Sequence, residues 1–315
     1  MKRFKNILLV YDGLEYGQSA LAGAIELAAD NQASLTLIRV IDQIPHDYRM
    51  LITSLTPEEI MAIAVREHTQ RLEKYLARFP GGAGIRIKVV AGREFIEIIQ
   101  EVLRNHHDLV IKTARGMDST LGMLFGSTAM HLLRKCPCPV WLRKPGSLPH
   151  YRRIMAAVDV MPPDIEENDL NTKIMELATS LARLEKSELH IVHAWEKPNT
   201  SLFSGEIDYF PGDRDKLINE TKNMHIRWLD DFLESYDLQH LQHQEHVLEG
   251  WADKVIPEFA EQQQVDLIVM GTVSRTGIPG FFIGNTAEKI LLKINCSVLA
   301  VKPGDFVSPI QLKEN

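Results

Sequence analysis

The chain has 315 residues, of which 45% are hydrophobic and 24% are charged, as in a soluble protein with a substantial core. This length suits two domains of about 150 residues each. The net charge is −7, and neither half has the dense basic cluster that a nucleic-acid groove needs. We therefore expect no nucleic-acid partner. No run of about 18 apolar residues occurs, so we expect no membrane partner either.

The first apolar run, Ile7 to Tyr11, is too short for a secretion signal and meets Asp12 at once, so it is predicted to be a buried strand. Short apolar runs then alternate with amphipathic stretches. The predicted strands of the first half are 5–11, 34–41, 85–90, 108–113 and 138–143, and the predicted helices are 17–30, 57–79, 93–106 and 127–134. Strands that are apolar on both faces and separated by helices indicate a parallel sheet covered on both sides.

One predicted helix has a particularly clear start. Thr56, Pro57 and Glu59 place a capping hydroxyl, a proline in the first turn and a capping-box carboxylate in order. We therefore expect a helix that begins at Pro57.

The three cysteines, Cys136, Cys138 and Cys296, supply no disulfide framework. Cys136 and Cys138 flank Pro137, and strand alternation would send both side chains to the same face. Buried thiols at the start of a strand are favoured over a redox or metal role. This cysteine usage suits a reducing compartment, so we expect a cytoplasmic protein.

The sequence repeats itself. Residues 108–146 align with residues 266–304 without a gap, at a constant shift of 158 positions. A match of this length predicts two homologous domains, 1–146 and 151–305, followed by a C-terminal tail, 306–315. Each domain is predicted to be an open α/β sandwich with a five-stranded, mainly parallel sheet.

The stretch from Gly271 to Thr286, GTVSRTGIPGFFIGNT, follows the fourth strand of the second copy. Gly271 would let the backbone turn and approach a ligand without a Cβ in the way. Gly284 would deliver the chain to a helix N-terminus, whose N–H groups and dipole favour phosphate oxygens. Asn285 is expected to cap that helix. Ligands of such sheets bind beyond the carboxyl ends of the strands, where this loop should lie.

This loop resembles the G-x2-G-x9-G-[S/T] nucleotide motif of universal stress proteins, and the resemblance extends over both halves of the chain, in a tandem arrangement. It implies an adenine-nucleotide alpha hydrolase-like fold, a cytoplasmic stress-response role, binding of ATP or another nucleotide, and at most slow ATP hydrolysis. In the second domain the implied ligand site comprises Asp159, Ala194, Met270, Gly271, Ser274, Gly284, Asn285 and Thr286. The weaker candidate site of the first domain comprises Asp12, Val40, Thr113, Gly116, Gly126, Ser127 and Thr128.

Both copies depart from the family motif, but at different positions. Thr113 replaces the first glycine of the first copy, and its branched Cβ would place bulk where a phosphate approaches. Ser274 replaces the middle glycine of the second copy; it keeps a backbone N–H and costs about 1 kcal/mol in a left-handed conformation. The second domain is therefore the expected ligand-binding domain.

Several residues have a second interpretation. Asp12 and Asp159 could cap the following helices instead of meeting a ligand. A metal site at His240, His243 and His246 is disfavoured, because residues three apart on a strand point to opposite faces. No metal site is therefore predicted. Trp251 could line a pocket or only pack.

No catalytic motif occurs, so the sequence favours a binding module over an enzyme. The alternative function is a tandem scaffold that binds no ligand and acts through protein–protein contacts. The two domains are expected to pair through their fifth strands as an intrachain pseudo-dimer, because an unpaired apolar edge invites aggregation. Whether two chains also associate as a homodimer is left open.

Overall fold

A computed structural model describes residues 3–13, 17–43, 55–114, 125–147, 150–160, 169–198, 213–273 and 283–312. Its strands are β1 Asn6–Val10, β2 Ser34–Ile41, β3 Arg86–Ala91, β4 Leu109–Thr113, β5 Val140–Arg143, β6 Arg153–Val158, β7 Glu188–Trp195, β8 His243–Glu249, β9 Leu267–Gly271 and β10 Ser297–Val301. Its helices are α1 Gly17–Asn31, α2 Pro57–Leu76, α3 Glu94–Asn105, α4 Ser127–Lys135, α5 Leu170–Glu185, α6 Asp213–Leu233, α7 Ala252–Gln262 and α8 Asn285–Lys293. Within these ranges, no helix has the length and apolar character needed to cross a membrane.

Local chemistry explains where individual elements begin and end. At the start of α2, the Thr56 hydroxyl accepts from the Glu59 N–H at 3.2 Å, and the Thr56 N–H donates to the Glu59 carboxylate at 2.7 Å. This capping box confirms the predicted start of the helix. The helix ends at Leu76, three residues before the predicted end. Pro80 disfavours helical geometry at the residue before it, which shortens the last turn.

The two halves form one continuous sheet of ten strands in the order β3-β2-β1-β4-β5-β10-β9-β6-β7-β8. Within each half all neighbouring strands are parallel, which confirms the predicted α/β fold class. Among the strands of the described residues, only β5 and β10 pair antiparallel. The strands of the second half therefore run opposite to those of the first, and the carboxyl ends of the two sets point in opposite directions.

The core lies on both faces of this sheet. On β5, Trp141 packs into one face, whereas Val140 and Leu142 pack into the other. On β10, Leu299 and Val298 alternate in the same way. Both hydrophobic clusters contain residues from both halves of the chain, so the two domains share one core.

The seam between the domains confirms the expected pairing of the fifth strands. Leu299 lies opposite Trp141 in the register of β5 and β10. The Trp141 indole N–H donates to the Tyr151 hydroxyl at 3.2 Å, and the two rings stack with centroids 5.7 Å apart. The backbone N–H of Lys144 donates to the Ser297 hydroxyl at 3.0 Å. The chain is thus an intrachain pseudo-dimer, with the end of the linker fixed against the seam.

The segment after β10 first contacts its own domain and then reaches the first domain. The Gly304 N–H donates to both carboxylate oxygens of Asp169, at 3.1 and 3.0 Å, within the second domain. Further along, the Gln100 side chain on α3 of the first domain donates to the Gln311 carbonyl at 3.1 Å. The part of the predicted tail that the structure describes therefore packs on the other half of the molecule.

We expect the seam to control the stability of the whole chain. Leu299 is fully buried, so Leu299→Ala should lower the free energy of unfolding by about 2–5 kcal/mol. Leu292 is 55% exposed, so Leu292→Ala should change it by less than about 0.5 kcal/mol. Urea unfolding followed by circular dichroism measures both values. Equal losses in the two variants would contradict the shared core.

Candidate functional site

Strand register brings most of the second-domain candidates to one place. Val158 lies opposite His193, and Ala157 lies opposite Met270. Asp159 therefore follows β6 between the ends of its neighbours β7 and β9. The backbone N–H of Gly284 donates to the Thr272 carbonyl at 2.9 Å, which ties the start of α8 to the end of β9.

These candidates differ in exposure. Met270 is buried, whereas Ala194, Gly271 and Gly284 are half-buried; the exposed candidates are Asp159, Asn285 and Thr286. Ser274 lies outside the described residues. The exposed polar groups and the N-terminus of α8 therefore border the carboxyl end of this half of the sheet.

The expectation that Asn285 caps α8 is wrong. Gly284 is the N-cap residue, with φ −61° and ψ 140°, and no side chain makes a capping hydrogen bond there. Asn285 occupies the first helical position, where its own backbone N–H is one of the groups that a cap would satisfy. In the first domain Gly126 has the same role before Ser127, again without a side-chain cap.

Gly271 is required for packing inside the protein. An added Cβ at this position would lie 2.6 Å from Cδ2 of Leu170, the first residue of α5. A side chain at position 271 would therefore require Leu170 to move. This contact could not be foreseen from the loop sequence, because Leu170 is about one hundred residues away along the chain.

Asp159 is held by the following helix but does not cap it. Its backbone N–H donates to Asn171 Oδ1 at 3.0 Å, and Asn171 Nδ2 donates back to the Asp159 carbonyl at 2.9 Å. The N-cap residue of α5 is Asp169. The capping interpretation of Asp159 is therefore wrong, and its exposed position at the end of β6 is set by Asn171.

The corresponding place in the first domain is filled by charged side chains. The Lys112 ammonium lies 3.0 Å from Glu94 Oε1 and 3.7 Å from Asp12 Oδ2. The Thr128 hydroxyl donates to Glu94 Oε2 at 2.6 Å. The side chains of Lys112 and Asp12 are only 5% and 6% exposed. Asp12 thus meets an internal cation, and we call Asp12, Glu94, Lys112 and Thr128 the charged cluster.

The other first-domain candidates surround this cluster. Thr113 is buried at the end of β4, Val40 and Gly126 are half-buried, and Ser127 is exposed. Gly116 lies outside the described residues. Lys112 and Glu94 were missed as site residues, although a lysine inside the apolar run DLVIKT was a signal for a buried ion pair.

The second domain has no such charges at the matching positions. At the shift of 158, Lys112 corresponds to Met270 and Glu94 corresponds to Ala252. Met270 is 3% exposed and packs in the hydrophobic cluster that Ala252 also contacts. The two copies therefore differ in chemistry at the carboxyl ends of equivalent strands.

Two pairs of histidines, each with one buried and one half-buried ring, involve β7. His193 Nε2 lies 2.8 Å from His225 Nδ1, and the His225 ring packs against Trp195 and Trp228. On the other face of β7, His190 pairs with His246 at 3.1 Å. Among the described residues, no group of three or more His, Cys, Asp or Glu side chains is arranged to hold a metal ion.

Trp251 is 59% exposed at the N-cap of α7. It stands at the turn between β8 and α7.

Comparison with known proteins agrees with this architecture. The model of the universal stress protein family matches residues 3–144 and 150–302. The chain belongs to the universal stress protein family. It is 30% identical over 320 residues to universal stress protein E of Escherichia coli, covering 100% of this chain and 99% of that protein.

Two further likenesses cover nearly the whole chain. The universal stress protein E homolog of Haemophilus influenzae is 28% identical over 309 residues, covering 96% of this chain and 98% of that protein. The crystal structure of a functionally unknown protein from Pseudomonas aeruginosa is 26% identical, with a TM-score of 0.66, and covers 96% of this chain and 94% of that one. The prediction that two universal stress protein domains follow one another in this chain is confirmed. The domain boundaries stay a prediction.

Burial lowers the pKa of three of these paired histidines. It lowers the pKa of His225, against the opposing charge of Asp159. It lowers the pKa of His190 and His246 as well, and Glu188 acts against the shift of each. Groups with a lowered pKa in the folded state favour folding at neutral pH, because the unfolded chain takes up their protons more readily.

We therefore expect this contribution to stability to be complete above pH 6.5, the ordinary pKa of these imidazoles, and to be lost as pH falls below it. His225→Phe keeps an aromatic ring and removes one proton-binding group. It should reduce the loss of unfolding free energy between about pH 7.5 and about pH 5.5. Urea unfolding at the two pH values measures this difference.

His150 supplies a control of opposite sign. A hydrogen bond to Glu185 raises its pKa, so His150 favours the folded state at low pH. His150→Gln should therefore enlarge the loss on acidification. The same pH dependence of the unfolding free energy in both variants would contradict the opposite directions of the two pKa shifts.

Proposed function

We propose that this universal stress protein binds a nucleotide, such as ATP, in its second domain. The observation that carries the proposal is the contrast between the two copies. The first has a buried charged cluster at the carboxyl ends of its strands, and the second has Met270 and Ala252 at the matching positions. Ala252 is half-buried and leaves this wall uncharged, which suits a base, whose flat faces favour apolar contact.

The polar groups near this wall suit the rest of a nucleotide. Gly284 begins α8 without a side-chain cap, so the first N–H groups of a nine-residue helix can meet phosphate oxygens. Asp159 is exposed at the end of β6, where the family resemblance expects contact with adenine. Asn285 and Thr286 are exposed on the first turn of the same helix and can donate hydrogen bonds.

The charged cluster argues against an equivalent site in the first domain. A ligand there would have to separate the buried Lys112 ammonium from Glu94, and the loss of that partner would weaken binding. We therefore assign binding to one domain per chain. The proposal places the protein in the cytoplasm, and it includes no catalytic step.

An exchange of residues between the copies tests the proposal. The double variant Ala252→Glu with Met270→Lys transfers the Lys112–Glu94 ion pair into the second domain. We expect it to weaken ATP binding at least about tenfold, equivalent to about 1.4 kcal/mol. Isothermal titration calorimetry with ATP on the wild type and the variant measures the change, and circular dichroism checks that both are folded.

The matched control is Glu94→Ala with Lys112→Met, which removes the same ion pair from the first domain. It should leave ATP binding in the second domain unchanged. Loss of binding in this control, with normal binding in the transfer variant, would place the site in the first domain.

The alternative function is a scaffold without a ligand. Denaturing freshly purified wild-type protein would then release no compound with the ultraviolet absorbance of a nucleotide base. Wild-type protein that neither releases a nucleotide nor binds ATP or other nucleotides in calorimetry would support the scaffold and reject our proposal.

A further inference from the structure

Two thiols lie in contact at the end of the first domain. Cys136 and Cys138 stand between α4 and β5, and their sulfur atoms are 3.6 Å apart. The backbone of Cys136 is extended, with φ −71° and ψ 131°, and Pro137 follows it. Alternate side chains of an extended chain point the same way, so the sequence prediction that both thiols share a face is confirmed.

A buried amine lies beside this pair. Lys302 follows β10, and its ammonium donates to the Leu133 carbonyl at 2.7 Å. Burial lowers the pKa of Lys302 to about 8, while the two thiols act in the opposite direction. Burial would raise the pKa of Cys136, but the hydrogen bond from Cys138 and the charge of Lys302 outweigh it and lower the pKa.

The thiol pair can be reached from outside. Cys138 contributes to the wall of an open cavity of about 760 Å³, together with Pro137, Pro139 and Lys302. Cys136 lies behind Cys138 and is fully buried. A small uncharged oxidant could therefore arrive at the pair, whereas a protein partner could not touch both sulfur atoms.

The second domain supplies an internal comparison. Cys296 corresponds to Cys138, but Ile294 stands at the position of Cys136. Burial raises the pKa of Cys296 to about 12. The two-thiol arrangement therefore belongs to the first domain alone, and Cys296 is a matched single thiol within the same chain.

We propose that Cys136 and Cys138 form a reversible dithiol–disulfide site that reacts with hydrogen peroxide. One thiolate attacks a peroxide oxygen, which gives a sulfenic acid and, with one proton, a water molecule. The second thiolate attacks that sulfur and forms the disulfide bond, and the departing hydroxide takes a proton and leaves as a second water. Two thiols lose two electrons in all, and one peroxide is reduced to two waters.

The geometry requires little movement for this step. The sulfur atoms must approach from 3.6 Å to about 2.05 Å, and both residues adjoin the same proline. Lys302 can supply a proton to the leaving hydroxide and stabilise the attacking thiolate. This site is separate from the proposed nucleotide site and does not depend on it.

The experiment is differential alkylation of the full-length protein after treatment with hydrogen peroxide. All three cysteines are free at the start. We expect Cys136 and Cys138 to become resistant to iodoacetamide under denaturing conditions, and to recover after dithiothreitol. Cys296 should stay alkylatable throughout. Peptide mass spectrometry assigns each thiol, and a non-reducing gel should show a monomer.

Two variants, Cys136→Ser and Cys136→Ile, remove one thiol of the pair and keep Cys138. The second variant introduces the residue type that stands at the equivalent position of the other domain, Ile294. In both variants Cys138 should no longer give an intramolecular disulfide, and dimedone should trap it as a sulfenic acid. The proposal is rejected if wild-type Cys136 and Cys138 stay alkylatable, or if Cys296 is lost as fast as they are. It is also rejected if Cys138 still forms an intramolecular disulfide in both variants, or if dimedone does not trap it there as a sulfenic acid.

Discussion

The antiparallel pairing of β5 with β10 is the interaction on which the rest of the structure depends. It joins two parallel sheets into one sheet and places Trp141 opposite Leu299 in a core that both domains share. Because the two fifth strands pair antiparallel, the second parallel sheet is turned around relative to the first. That constraint makes the carboxyl ends of the two domains point in opposite directions.

The same pairing creates contacts that neither domain would have alone. Because β10 runs against β5, residues after its carboxyl end lie beside residues before the amino end of β5. Lys302 therefore reaches the Leu133 carbonyl and lies near Cys136 and Cys138. The described tail continues in this direction and reaches Gln100 of the first domain. A fusion of two domains in one chain thus builds a polar site at the seam.

The two copies differ in chemistry at the carboxyl ends of their strands. Lys112 and Glu94 stabilise each other in the first domain, where either charge alone would be costly to bury. Met270 and Ala252 leave the second domain uncharged at the same positions. We interpret the first domain as the structural copy and the second as the binding copy, which agrees with the different departures of the two loops from the family motif.

The sequence by itself determined the repeat, the alternation of strands and helices, and the start of α2, because these depend on local periodicity and on neighbouring residues such as Thr56 and Glu59. It also predicted the pairing of the fifth strands, since both are apolar and end a repeat. The candidate residues could be placed at the carboxyl ends of their strands for the same reason.

Only the tertiary structure decided which side chains meet at those ends. Three such contacts are Leu170 beside Gly271, Glu94 beside Lys112 and His225 beside His193. The partners are 18 to 101 positions apart along the chain, and the sequence alone does not show which distant residues meet. Such contacts follow from strand register and helix packing, where a shift of one residue turns a side chain to the other face. Local pattern therefore specifies the elements, and their packing specifies the chemistry.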